Sequence, residues 1–232
     1  MRAIAGHDAG SIERLFFNEQ NAPLFGQACK VLAEKRRTYR LVKDDELKKI
    51  TDTAHHQGVA AVISPRTARP LAELKLTQHT LCLYDVLNPH NVGAIIRTAA
   101  FFGVRDVLVS GATHAAGMTA AAWRVAEGGM THMRFFVVPG GAELDGAARK
   151  AHWVTAAALR PEKNSLPDLE EITASAGSKP VIVCLGNEES GLPAAFVAKV
   201  QKKFTIAGSG LVESLNVSVA AALCLEKLGR AR

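Results

Sequence analysis

Cysteine is scarce in this chain: four residues in 232, scattered at Cys29, Cys82, Cys184 and Cys224. No Cys-x-x-Cys or Cys/His spacing suggests zinc, and no metal partner is expected. Three of the four thiols lie in apolar runs, where cysteine behaves as a small hydrophobe. Nothing argues for disulfides, so a reducing compartment is expected. No apolar stretch reaches the length of a membrane span, and the first residues lack the basic-then-apolar order of a signal peptide. The expectation is a soluble cytoplasmic protein with no membrane partner. Aromatic residues make up only 6%, which leaves few rings for stacking along a single-stranded nucleic acid. Neither of the common glycine-rich phosphate-binding spacings is present, so dinucleotide-dependent oxidoreductases and P-loop nucleotidases lose support.

What is present is ample material for a core. Hydrophobic residues reach 48%, and mean hydropathy is +0.07, so composition makes no case for disorder. The formal net charge is +6 and the pI about 9.3, compatible with an anionic partner but not diagnostic of one. The charge is uneven. Residues 1–78 carry 13 Lys/Arg against 9 Asp/Glu, whereas residues 79–232 carry 15 against 13. Lys35, Arg36, Arg37 and Arg40 are bunched, either as a solvated helix end or as a phosphate-contacting patch.

The pattern along the chain divides it in two. A helix around residues 22–37, the strand TYRLV, a polar helix capped by Asp44 or Asp45, and the strand GVAAVIS form a small α/β unit over residues 1–64. Residues 65–78, with two prolines and mixed charge, read as a linker. From residue 79 to 232 apolar strands alternate with helices: TLCLYDV, a helix from about Asn91 to Phe102, DVLVSG, an alanine-rich helix, then RFFVV, WVTAAA and PVIVCLG. Near-continuous apolar strands separated by helices predict a mostly parallel sheet covered on both faces. In such sheets ligands sit at the carboxyl ends of the strands, so the loops after Val86, Leu185 and Ile206 are where chemistry is expected.

Three loops answer that description. In the first, NPHNVGAIIR, Pro89 stiffens the turn, Asn91 can cap the helix, and Arg97 can either snorkel or act. In the second, LGNEESGLP, Gly186 and Gly191 flank Glu188 and Glu189 in a turn that could cradle a ligand or simply join strand to helix. The third, IAGSGLVESLNVSVAAAL, opens an apolar helix with more polar groups (Glu213, Ser214, Asn216 and Ser218) than a single cap requires.

Taken in order, Asn91-x-Gly93-x-x-x-Arg97, Leu185-Gly186-Asn187-Glu188-x-x-Gly191-Leu192 and Glu213-Ser214-Leu215-Asn216-Val217-Ser218 resemble the three motifs of the SpoU (TrmH-type) RNA ribose 2′-O-methyltransferases. The likeness covers about residues 80–228. The stretch HHQGVAAVI (55–63) is similar to the closing strand of the small RNA-binding domain that many members carry in front. Only about ten residues precede SIERLFF, where relatives have room for a helix, so this domain is expected to be shortened at its start. Ala207 stands where the family commonly has proline.

The resemblance implies a SPOUT-type α/β parallel sheet with a C-terminal trefoil knot, preceded by a small α/β RNA-binding domain. It implies S-adenosylmethionine as cofactor, contacted by Gly186, Asn187, Ile206 and Leu215. It implies a homodimer acting on tRNA or rRNA, with Arg97, Asn91, Glu188, Ser214 and Asn216 as catalytic residues. Arg97 would activate or orient the ribose hydroxyl, Asn91 and Asn216 would position Arg97 and substrate, Glu188 would fix its loop, and Ser214 would meet RNA or Arg97. Arginine stays protonated, so orienting a phosphate suits Arg97 better than removing a proton. The alternative is an RNA-binding or ribosome-associated protein on the same fold with little or no catalysis.

Overall fold

The computed structural model describes residues 2–160 and 166–230; Met1, residues 161–165 and residues 231–232, which the sequence assigns to the two expected domains, lie outside the described residues. The chain forms two compact units, Met1–Arg66 and Thr67–Arg232.

The first unit runs α1 (Arg2–His7), β1 (Ile12–Phe17), α2 (Gly26–Glu34), β2 (Thr38–Leu41), α3 (Asp44–Thr51) and β3 (Val59–Ile63). Its sheet has the order β2-β1-β3, with β1 parallel to β2 and antiparallel to β3. Ile12, Leu15, Phe25, Leu32 and Leu47 are fully buried, and the Phe17 and Phe25 rings lie 5.5 Å apart. A helix, α1, occupies the short segment before β1.

Three local expectations shift here. The helix expected around residues 22–37 begins later, because a 3-10 stretch at Glu19–Leu24 precedes it. Asn18 caps that stretch by accepting from the Asn21 amide at 3.1 Å, and Pro23 has no N–H to continue it. The N-cap of α3 is Lys43; Asp44, Asp45 and Glu46 instead fill the first turn, where negative charge meets the positive end of the helix. The basic bunch is partly structural: Arg37 Nη1 donates to the Gly10 and Ile12 carbonyls, each at 2.6 Å, and Lys35 reaches Gly10 at 3.3 Å.

The second unit contains β4 (Arg69–Pro70), β5 (Thr80–Leu83), α4 (Pro89–Phe101), β6 (Asp106–Val109), α5 (Gly111–Gly117), α6 (Ala120–Val125), β7 (Arg134–Val137), α7 (Gly141–Ala151), β8 (Val154–Leu159), α8 (Leu169–Ala176), β9 (Val181–Leu185), α9 (Ala194–Val197), β10 (Lys202–Thr205) and α10 (Val217–Arg230). The seven strands order as β10-β8-β9-β5-β6-β7-β4, and every pair in this sheet is parallel. The residues read as a linker are largely part of this unit: Arg69–Pro70 pairs with Phe136–Val137 at the sheet edge, and Leu74 and Leu76 are buried. Proline is tolerated there because an edge strand needs no donor on its free side.

Alternation along the central strands sorts the core into two layers. Leu81, Leu83, Val107, Val109, Val181 and Val183 face one layer with α4 and α10. Cys82, Leu108, Ile182 and Cys184 face the other, with Leu144 of α7 and Phe196 of α9. Both faces are covered, which is why β5, β6 and β9 are buried throughout. Strand order reverses between β5 and β9: chain growth goes outward through β6 and β7, then returns to the far side through β8. That reversal brings the loops after Leu83 and Leu185 together at one end of the sheet.

Candidate active site

In the loop after β5, Asp85 lies in the left-handed region, at φ 58°. Its carbonyl accepts from Asn187 Nδ2 at 2.9 Å, which ties the first loop to the second. Desolvation, and after it the neighbouring Asp85 carboxylate, pushes the Tyr84 phenol above its ordinary value. It therefore stays a neutral donor, directed to the Pro139 carbonyl at 3.1 Å.

Asn88 caps α4, accepting from the His90 amide at 2.9 Å, with Pro89 in the first turn. Asn91 was the expected cap; because Asn88 takes that part, the buried Asn91 side chain is available for a long-range role. Its Nδ2 donates to Glu188 Oε1 at 2.9 Å, and its Oδ1 accepts from Asn216 Nδ2 at 3.1 Å. Glu188 also receives the backbone amides of Asn88 at 3.3 Å and Leu87 at 3.4 Å. A carboxylate at a helix start is favoured both by the orphan amides and by the macrodipole. One hydrogen-bonded chain, Asn216–Asn91–Glu188, thus joins all three motif loops.

Asn216 also works locally, its Oδ1 accepting from Ser218 N at 2.8 Å and Ser218 Oγ at 2.7 Å at the start of α10. The surplus polarity of that helix start is in part this second, outward bond. Asn187 folds the second loop: its Oδ1 accepts from the Glu189 amide at 2.9 Å and the Ser190 amide at 3.1 Å, while its backbone pairs with Gly191. A Cβ on Gly186 would lie inside the backbone of Gly191 and Leu192, so only glycine permits this close fold-back.

A groove of about 200 Å³ opens beside these loops. Gly186, Asn187, Glu188, Ile206, Ser214 and Leu215 line it, together with Arg160 at the exit of β8. Asn91 and Asn216 buttress it from behind through Glu188. Arg97 is not among its lining residues. Six residues along α4 carry it about 120° around and about 9 Å beyond Asn91. There its Nη2 pairs with Glu127 Oε2 at 3.0 Å, with the two side chains 57% and 62% exposed. Within one chain, then, Asn91 bonds Glu188 and Asn216, while Arg97 pairs with Glu127.

Glu127 and Arg160 were not singled out by sequence reasoning. Glu127 sits in Glu-Gly-Gly with φ 45°, and its only signal was that doubled glycine. Arg160 ends an apolar strand and reads there as a surface cation. Among the described residues no group of three or more His, Cys, Asp or Glu could hold a metal.

Residues 78–226 match the model of the SpoU rRNA Methylase family, and residues 1–68 match that for RNA 2′-O ribose methyltransferase substrate binding. The uncharacterized tRNA/rRNA methyltransferase YfiF of Escherichia coli O157:H7 is 31% identical over 219 residues, covering 93% of this chain and 61% of that relative. The chain therefore spans less than two thirds of the length of that relative. The 23S rRNA (guanosine-2′-O-)-methyltransferase RlmB of Nitrosomonas europaea is 35% identical over 192 residues, covering 80% of this chain and 70% of its own length. The AdoMet-bound rRNA methyltransferase of Sinorhizobium meliloti has the same fold, with a TM-score of 0.81 at 21% identity over 99% of this chain and 84% of that one. With three ordered motifs joined at one groove and a family match over most of its length, the chain belongs to the SpoU rRNA methylase family.

Proposed function

We propose that the chain transfers a methyl group from S-adenosylmethionine to a ribose 2′-hydroxyl of rRNA or tRNA, acting in the cytoplasm as a homodimer. The reading includes a trefoil knot in the second unit and an RNA-gripping role for the first. The observation that carries it is the Asn216–Asn91–Glu188 chain, which gathers the three motifs behind a single groove.

The groove suits the cofactor. Its lining combines the apolar side chains of Leu159, Ile206 and Leu215 with glycine backbone, and Arg160 is the one cation among its described residues. A polyphosphate would call for several cations; a ligand that carries its own positive charge is favoured by the carboxylates Glu188 and Glu213. Gly186, Ile206 and Leu215 would hold S-adenosylmethionine by their backbones, with Asn187 keeping the loop in shape. When bound, the cofactor supplies a methyl group on a sulfonium sulfur.

The residues of the chain orient the other reactant. A ribose hydroxyl becomes reactive only when it is held in line with the methyl carbon and its proton is drawn off. Arg97 orients an RNA phosphate beside that hydroxyl. Its exposed ion pair with Glu127 is worth at most about 1 kcal/mol, so a phosphate can displace the carboxylate. Ser214, on the groove wall, is the hydroxyl-bearing group nearest in sequence to the cofactor-holding Leu215 and contacts the RNA.

Because Arg97 lies outside the groove of its own chain, it serves the groove of a second copy. Exposed Leu211, Val219 and Leu223 supply apolar surface for that association.

The test is methyl transfer itself. Purified protein is incubated with S-adenosylmethionine and with rRNA and tRNA from cells lacking the gene, and methylated riboses are mapped by mass spectrometry. One ribose gains a methyl group, and Arg97→Ala abolishes transfer while binding S-adenosylhomocysteine as the parent does. RNA bound with no ribose methylated would favour the non-catalytic RNA-binding reading, and an active Arg97→Ala would remove Arg97 from the mechanism.

A further inference from the structure

Charged side chains are few along the groove: among its described lining residues they are Arg160, Glu188 and Glu213. Glu188 is already committed to the start of α4 by its three donors. Arg160 directly follows β8 and so leaves the sheet at its carboxyl end. Its Nη2 donates to the carbonyl of Glu189, on the loop after the adjacent strand β9. That bond spans two strand exits and holds the guanidinium at the groove. It uses one of five N–H donors, and among the described residues Arg160 forms no ion pair. A cation held in place by a neutral carbonyl keeps its charge for something else.

We propose that Arg160 binds the α-carboxylate at the amino-acid end of the cofactor, an inference that rests on the S-adenosylmethionine reading above. A planar guanidinium offers parallel N–H groups that meet a carboxylate in bidentate fashion, which an ammonium group cannot do. The cofactor carries one carboxylate, and Arg160 is the one cation among the described lining residues that can meet it. Ala158 and Leu159, just before Arg160 in the same lining, suit the uncharged nucleoside part. Arg160 thus sets which end of the cofactor lies toward the exits of β8 and β9.

The experiment compares two ligands that differ only in the carboxylate: S-adenosylhomocysteine and its decarboxylated analogue, 5′-deoxy-5′-(3-aminopropylthio)adenosine. Isothermal titration calorimetry is run on the full chain and on Arg160→Ala and Arg160→Lys. The parent protein prefers S-adenosylhomocysteine by about tenfold to a hundredfold, the span expected of a charge-assisted pair. Arg160→Ala reduces that preference to about twofold or less, while its affinity for the decarboxylated ligand stays within about twofold of the parent. Arg160→Lys keeps only part of the preference.

A parent-like preference in Arg160→Ala overturns the assignment. So does an equal loss of both ligands, which would make Arg160 a brace for the Glu189 loop. A parent protein that binds the two ligands equally refutes it as well. If the parent protein binds neither ligand, the cofactor reading itself fails, and that outcome is distinct from the others.

Discussion

The bond between Asn91 and Glu188 can be weighed by a double-mutant cycle. Asn91→Ala removes one charge-assisted bond at 2.9 Å and one neutral bond at 3.1 Å, costing about 2–4 kcal/mol at typical strengths. Glu188→Ala removes the same short bond and the two longer amide contacts. It also leaves a buried amide donor unpaired and takes negative charge from a helix start, for a similar total of about 2–4 kcal/mol. Because the short bond is lost in either single variant, the double variant falls short of the sum by about 1.5–3 kcal/mol.

Urea unfolding of the full chain measures this, at one fixed protein concentration so that self-association does not shift the midpoint. Both tryptophans, Trp123 and Trp153, belong to the second unit, so their fluorescence follows the unit that contains the bond. Additivity within about 0.5 kcal/mol would refute the clamp, since independent sites behave that way.

Gly186→Ala, which drives a Cβ into the backbone of Gly191 and Leu192, costs about 3 kcal/mol or more and lowers Tm by about 6–12 °C in a unit of this size. Gly208→Ala, with open space at its Cβ, stays within about 2 °C; equal shifts for the two would refute the close fold-back at Gly186. Burial pushes the Cys224 thiol from an ordinary value of 9.0 up to about 12, with Glu170 adding to the rise and Lys227 opposing it. Its contribution to stability is therefore complete below pH 9 and is lost as pH rises toward 12, because the unfolded chain releases the proton first. In the native protein at pH 8, iodoacetamide followed by peptide mass spectrometry finds the half-buried Cys29 modified ahead of the buried Cys224. Equal labelling would contradict that burial.

Much of the architecture is legible in the sequence because its causes are local. The runs around Thr80–Leu83 and Val181–Leu185 are apolar at every position, and only a strand covered on both faces needs that. The excess polarity of Glu213–Ser218 could be noticed because one helix cap needs one side chain. The resemblance of the three loops to the family's motifs marks Asn91, Glu188 and Asn216. Other elements carry too little local signal. Lys202–Thr205 is a strand with two exposed lysines, and it exists because β8 offers it an edge. Arg69–Pro70 looks like linker until β7 pairs with it.

The division at the site has the same physical origin. Composition and periodicity report which residues prefer a cap, a strand or a buried face, since those preferences act over a few residues. Asn88 caps α4 through a bond two residues long, but the partner of Asn91 was a tertiary decision: it bonds Glu188, 97 positions away in the chain. The partner of Arg97 was decided in the same way, by a left-handed turn at Glu127 that no motif announces. Hydrogen bonds of this kind join residues with no local relation, so only the closing of the sheet, with β9 set beside β5, selects them.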